Sequence, residues 1–125
     1  MDGREPSGAY ELFQNGTRLL EDGDFHAATV PLARARDLEP EKTSIREALG
    51  RALFGSRRYR EAAEEFGEIV ERAPTNDYAL FCLGRALLES GRPADARKPL
   101  VLAANLRPDR HDYRIYRDRA RNAAA

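Results

Sequence analysis

The 125-residue chain holds no tryptophan, one cysteine, one methionine and only two lysines, and the shortage of cysteine removes whole classes of function. The lone Cys82 has no second thiol for an internal disulfide, a redox pair or a thiolate metal site, and it suits reducing surroundings. It also lacks a base on its own helix, so it reads as a packed residue and not a nucleophile. His26 and His111 are the only histidines, and neither has an i, i+4 partner or a nearby cysteine pair to build a zinc site. Long apolar runs are missing as well, and the opening Met1-Asp2-Gly3-Arg4-Glu5-Pro6 carries charge where a secretory leader is apolar. A cytoplasmic location without membrane contact is therefore expected. Nor is there an excess of one charge: 21 basic residues balance 21 acidic ones, leaving no overall field to draw nucleic acid. No strand pattern precedes any glycine-rich segment, so no phosphate loop is present. No enzyme activity, cofactor or small-molecule substrate is expected. With lysine so scarce the basic residues are almost all arginine, the usage of a GC-rich bacterial genome.

What the chain does have is self-similarity. Leu12-x-x-Asn15-Gly16, Arg46-x-x-Leu49-Gly50 and Leu80-x-x-Leu83-Gly84 recur every 34 residues. In the same register follow Leu19, Leu53 and Leu87; Phe25, Tyr59 and Pro93; Ala28, Ala62 and Ala96; and Leu32, Phe66 and Leu100. Pro40, Pro74 and Pro108 close the units, where proline can follow a helix but not continue one. Leu80, Leu83 and Leu87 have the three-and-four spacing of a helix face, and Ala96, Leu100 and Ala103 repeat it in the next helix. Gly16, Gly50 and Gly84 lie inside helical patterns, where glycine costs about 1 kcal/mol against alanine, so a close helix neighbour is the expected compensation. Gly23-Asp24 and Gly91-Arg92-Pro93 read as a left-handed stop and a new start, with Asp24 an N-cap and Pro93 in a first turn.

Three departures carry expectations of their own. Arg57 stands where the turn glycine belongs, with Gly55 two residues early, which predicts a distorted turn in repeat two. Pro31 and Pro99 share one register position inside the second helices of repeats one and three, where kinks on an exposed outer face are expected. After Asp109, read as a cap with Asp112 three residues on, Tyr113, Ile115, Tyr116 and Ala120 continue as a seventh helix. That helix carries Arg114, Arg117 and Arg121 at the places of Leu80, Leu83 and Leu87, the polar replacement that marks a terminal cap.

These columns resemble the tetratricopeptide repeat (TPR) family over residues 9 to 108. The resemblance implies an all-α fold of seven helices, antiparallel hairpins stacked in a right-handed TPR solenoid. It divides the chain into a disordered tail at 1–8 and a single TPR domain at 9–125, with repeats 9–42, 43–76 and 77–110, a capping helix at about 110–122, and a mobile end at 122–125. It also implies a concave groove lined by the first helices, which receives a segment of a protein or peptide partner. The groove set expected from it is Tyr10, Phe13 and Thr17 in repeat one; Glu47, Arg51 and Phe54 in repeat two; Tyr78, Phe81 and Arg85 in repeat three; and Tyr116 and Arg119 in the cap. Tyr10 with Phe13 and Tyr78 with Phe81 repeat one i, i+3 aromatic pair, a platform of hot-spot residue types. Arg51, Arg85 and Arg119 form a ladder one repeat apart that suits an acidic segment. The competing reading has Glu47 neutralising Arg51 from one turn away, or capping with Ser44, while the other arginines are merely solvated. The family's clamp for a chaperone C-terminus needs Lys, Asn and Arg side chains where this chain has Phe13, Thr17, Ala48, Tyr78 and Cys82, which argues against that ligand.

Two further readings come from other classes. Exposed Tyr10, Phe13 and Phe81 would support a self-assembling scaffold unit, monomer or weak homo-oligomer being open. From Arg107 to Arg121 six arginines stand against Asp109, Asp112 and Asp118, a local balance of plus three that a nucleic-acid adaptor would use. A solvated face with pairs such as Arg114 and Asp118 accounts for the same residues and is preferred.

Overall fold

A computed structural model describes residues 8–124. The expected tail at 1–8 lies, apart from Gly8, outside the described residues. Seven helices and no strand are present among the described residues: α1 (Ala9–Glu21), α2 (Phe25–Leu38), α3 (Thr43–Gly55), α4 (Tyr59–Arg72), α5 (Asp77–Glu89), α6 (Pro93–Leu106) and α7 (His111–Ala124). The odd helices begin at 9, 43, 77 and 111 and the even ones at 25, 59 and 93, so the 34-residue period of the sequence is also the period of the helix starts. Helix α7 runs to Ala124, beyond residue 122, where a mobile end is expected to begin.

The chain divides into two compact units, Met1–Arg58 and Tyr59–Ala125. In the first, α1 packs on α2 and α2 on α3, with a smaller α1–α3 contact. Its core contains Leu12, Leu20, Ala28, Leu32, Ala35, Ile45, Leu49 and Leu53. In the second, α4 lies on α5, α5 on α6, and α7 on α6 and part of α5. Phe66, Ile69, Leu80, Leu100 and Tyr113 are the largest of its fully buried side chains. Gly16 and Gly84 play the expected part: a Cβ at Gly16 would overlap Leu32 Cγ, and one at Gly84 would overlap Leu100 Cγ, so each absence lets the leucine of the return helix seat.

Several local expectations need correction. The repeat-two turn is not distorted. Arg57 takes φ +66°, beside +82° at Gly23 and +78° at Gly91. The backbone bonds also match: Arg57 N–H to Phe54 and Arg58 N–H to Leu53 repeat Gly23 to Leu20 and Asp24 to Leu19. The chain accepts a left-handed arginine there, at a cost of roughly 1–2 kcal/mol. Gly55, two residues early, serves packing instead, because a Cβ there would overlap the ring of Phe25. Arg57→Gly is therefore expected to stabilise the protein by roughly 1 kcal/mol, read as a higher urea midpoint. A midpoint that falls would show the arginine side chain to be worth more than its backbone strain.

Asp24 occupies the N-cap of α2 but makes no side-chain cap bond. Asn76, which sequence reasoning passed over, does cap α5, its Oδ1 accepting from Ala79 N–H at 3.0 Å. Ser44 and Glu47 form no capping box, since α3 starts at Thr43 and its N-cap is Lys42. Asp109 is not the cap of α7 either; it lies two residues before the helix and is held by Arg107. Helices α2 and α6 continue through Pro31 and Pro99, and Pro99 is buried, so the shared position is not a uniformly exposed face.

Candidate functional site

In the second unit, residues from α5 and α7 meet. Phe81 and Arg85 stand one turn apart on α5, and Tyr113, Tyr116 and Arg119 follow at turn spacing on α7, so both helices direct these groups at each other. Phe81 stacks on Tyr113 with centroids 4.5 Å apart and takes the edge of Tyr116 at 5.5 Å. The Arg85 guanidinium lies 4.9 Å from the Tyr116 centroid and 5.6 Å from that of Phe81. Arg119 lies over the same Tyr116 ring at 4.8 Å. One half-buried tyrosine thus holds two cations, each about as close as a cation–π contact requires.

This arrangement corrects the role expected for Phe81. Only 5% of it is exposed, because α7 covers the ring that was read as a platform for a partner. Cys82 beside it is also buried, and Tyr78 is half-buried. The covering is anchored by Tyr113, whose hydroxyl donates to Asp77 Oδ2 at 2.8 Å and whose ring also receives Arg110 at 4.5 Å. Burial, and then the bond to the Asp77 carboxylate, push the Tyr113 hydroxyl above the ordinary tyrosine range. Tyr113 was read only as part of the α7 pattern. Its column would have revealed its burial, since it stands 34 residues after Ala79 and 68 after Ile45, both core positions.

The arginines leading into and along α7 are largely engaged by their neighbours. Arg107 forks onto Asp109, Arg110 onto Asp112, and Asp118 takes Arg117 and Arg121. The bond from Arg107 holds the Asp109 carboxyl down at about 2. The expected Arg114–Asp118 pair does not form: Arg114 reaches the Pro108 carbonyl and His111 Nδ1.

The first unit holds the remaining expected residues. Tyr10 is 72% exposed, with Gln14 Nε2 donating to its hydroxyl. Phe13 is partly buried against Leu12, Ala35 and Ile45. Thr17 turns its hydroxyl onto the Phe13 carbonyl at 2.9 Å, which commits its hydrogen to its own helix. Glu47 and Phe54 are half-buried, Ala48 is buried and Arg51 is exposed. No ion pair joins Glu47 to Arg51 among the described residues, so the neutralising pair is not formed. No set of three His, Cys, Asp or Glu side chains converges as a metal cage among the described residues. No helix there is long and apolar enough to cross a membrane. What the geometry offers is guanidinium held in place on aromatic surface.

A family model described as tetratricopeptide repeat matches residues 13–77 and again 47–111. No curated protein matches the chain in sequence. Among solved structures, the first TPR of Spaghetti (RPAP3) bound to the HSP90 peptide SRMEEVD is similar with a TM-score of 0.85 at 16% identity, over 96% of this chain and 95% of that one. The C-terminal TPR-containing domain of an FK506-binding protein from Plasmodium falciparum gives 0.83 at 21% identity, over 92% of this chain and 87% of that one. A MamA structure from AMB-1 gives 0.80 at 22% identity over 90% of this chain, which spans 66% of that one. At these identities the likeness is one of fold.

Proposed function

The chain belongs to the tetratricopeptide repeat family, a protein-interaction fold, and from that we propose that it is a binding module for a peptide segment that is both acidic and apolar. The observation that carries the reading is the pair of guanidiniums, Arg85 and Arg119, over the single Tyr116 ring. A ring that already restrains two long side chains reduces the rotamer entropy lost when a ligand docks. The planar guanidinium of the exposed Arg119 is geometrically suited to a carboxylate fork, while the tyrosine body supplies apolar contact. The RPAP3 domain in the comparison holds a peptide with two adjacent glutamates. The clamp positions of this chain, Phe13, Thr17, Ala48, Tyr78 and Cys82, point to a different ligand, and two of them are buried.

The test is fluorescence anisotropy with a labelled peptide alternating glutamate with leucine or phenylalanine. Arg85→Ala and Arg119→Ala are each expected to weaken binding roughly tenfold or more, the value of a hydrogen bond to a charged group. Tyr116→Ala, which removes the ring the two cations share, is expected to weaken it as well, and added salt to weaken the wild type. Equal affinity of wild type and the double arginine variant at low and high salt would end this reading.

A further inference from the structure

We propose that the outer edge of the first hairpin is a second docking surface, which takes an acidic amphipathic helix of a partner protein. Between α1 and α2 lies an open cleft of about 560 Å³, walled by Leu12, Leu19, Val30 and Pro31 and rimmed by Arg18 and Arg34. Val30 is 60% exposed along it.

The repeat register shows what fills such a cleft elsewhere in this chain. Two repeats on, Leu12, Leu19 and Pro31 become Leu80, Leu87 and Pro99, all buried, and α5, which carries the two leucines, lies against α4. Helix α4 is itself an acidic amphipathic helix: Glu61, Glu64, Glu68 and Glu71 are exposed, while Ala62, Phe66 and Ile69 are buried. At the first hairpin the same apolar floor is present without a helix of the described chain upon it, and Leu19 and Pro31 are only half-buried. The rim has also gained positive charge. Arg18 replaces Ala86, and Arg34 replaces Leu102. Arg18 reaches only Asn15 Oδ1, at 3.3 Å, and neither guanidinium has a carboxylate partner among the described residues. An apolar floor between two cations complements an apolar stripe flanked by glutamates. Charge also argues against a second copy docking its last helix there, since the exposed carboxylate of α7, Asp118, already takes Arg117 and Arg121.

The probe is a peptide with the sequence of Tyr59–Arg72, stapled on its polar face because a free 14-residue helix is marginal in water. It is titrated into the Arg85→Ala/Arg119→Ala protein, so that failure of the α5–α7 surface and failure of this one remain distinguishable, and amide NMR shifts are followed. Saturable shifts are expected at Leu12, Leu19 and Val30. Val30→Asp, at an exposed position, is expected to weaken binding about tenfold. Arg18→Glu with Arg34→Glu is expected to lose this peptide and to accept one whose four exposed glutamates are lysines. The proposal is overturned if millimolar peptide gives no shifts, if the shifts fall on α5 instead, or if both variants bind like the parent. It is equally overturned if the protein alone forms a dimer that Val30→Asp abolishes, for the occupant is then a second copy.

Discussion

Tyr113→Ala is expected to cost about 3–5 kcal/mol of unfolding free energy, the range for emptying an aromatic site in a packed core. Nothing of Tyr113 is exposed; it stacks on Phe81 and bonds Asp77. Of the described α7 side chains only Tyr113 and Ala120 are buried, so Tyr113 is the one large group of the helix that is wholly enclosed. Its loss would uncover Phe81. Tyr113→Phe separates ring from hydroxyl and is expected to cost about 1–2 kcal/mol, low in the range for a bond to a charged group, because Asp77 is partly solvated and can turn to water. The pH dependence has a definite sign. A tyrosine hydroxyl raised in the folded state contributes stability that is complete below its ordinary pKa of 10 and is lost as pH climbs from there toward the folded value. Wild type should thus lose its advantage over Tyr113→Phe above about pH 10. Urea titrations across that range check both points; a Tyr113→Ala loss under 1 kcal/mol would mean that α7 is held by something else.

Gly84→Ala and Gly67→Ala should move stability in opposite directions although both place the same methyl group inside a helix. At Gly84 the new Cβ would overlap Leu100 Cγ, a branch point fixed inside the core, and overpacking of this kind costs about 1–3 kcal/mol. Gly16→Ala should behave alike against Leu32. At Gly67, in α4, the new Cβ meets nothing within 4 Å, so the helix preference of alanine, about 0.5–1 kcal/mol, is gained without opposition. Urea midpoints of the two single variants decide it. Two shifts of the same sign would show that propensity and not close approach governs these glycines.

The helix starts, the glycine–leucine contacts and the apolar core were legible because each is a column repeated at one spacing, and core packing demands the same residue size at the same place. Features that occur once were not legible. Arg57 breaks the glycine column, yet the turn survives, since the backbone bonds to Leu53 and Phe54 outweigh the strain of one left-handed arginine. Phe81 looked available because it repeats the Tyr10–Phe13 spacing, and only α7, whose sequence departs from the repeat, shows that the ring is used internally. The cation pair on Tyr116 was half visible: the arginine ladder was read from register, but the ring between Arg85 and Arg119 depends on how α7 is rotated, which Tyr113 fixes. The edge at Arg18 and Arg34 was missed because the two residues are 16 apart and fall in different columns.

The alternation of arginine and aspartate at the entry to α7 alters what its positive charge means to an incoming polyanion. Affinity for phosphate chains is driven largely by release of condensed counterions, one for each charge neutralised. Arg107 and Arg110 already spend two nitrogens each on the carboxylates of Asp109 and Asp112. Asp109, held near 2, stays ionised at any pH the protein meets in neutral surroundings. A phosphate reaching these guanidiniums would have to expel a covalently tethered carboxylate, whose effective concentration no added salt can match. Its binding would show a shallow dependence on ionic strength, whatever number of arginines the segment contains.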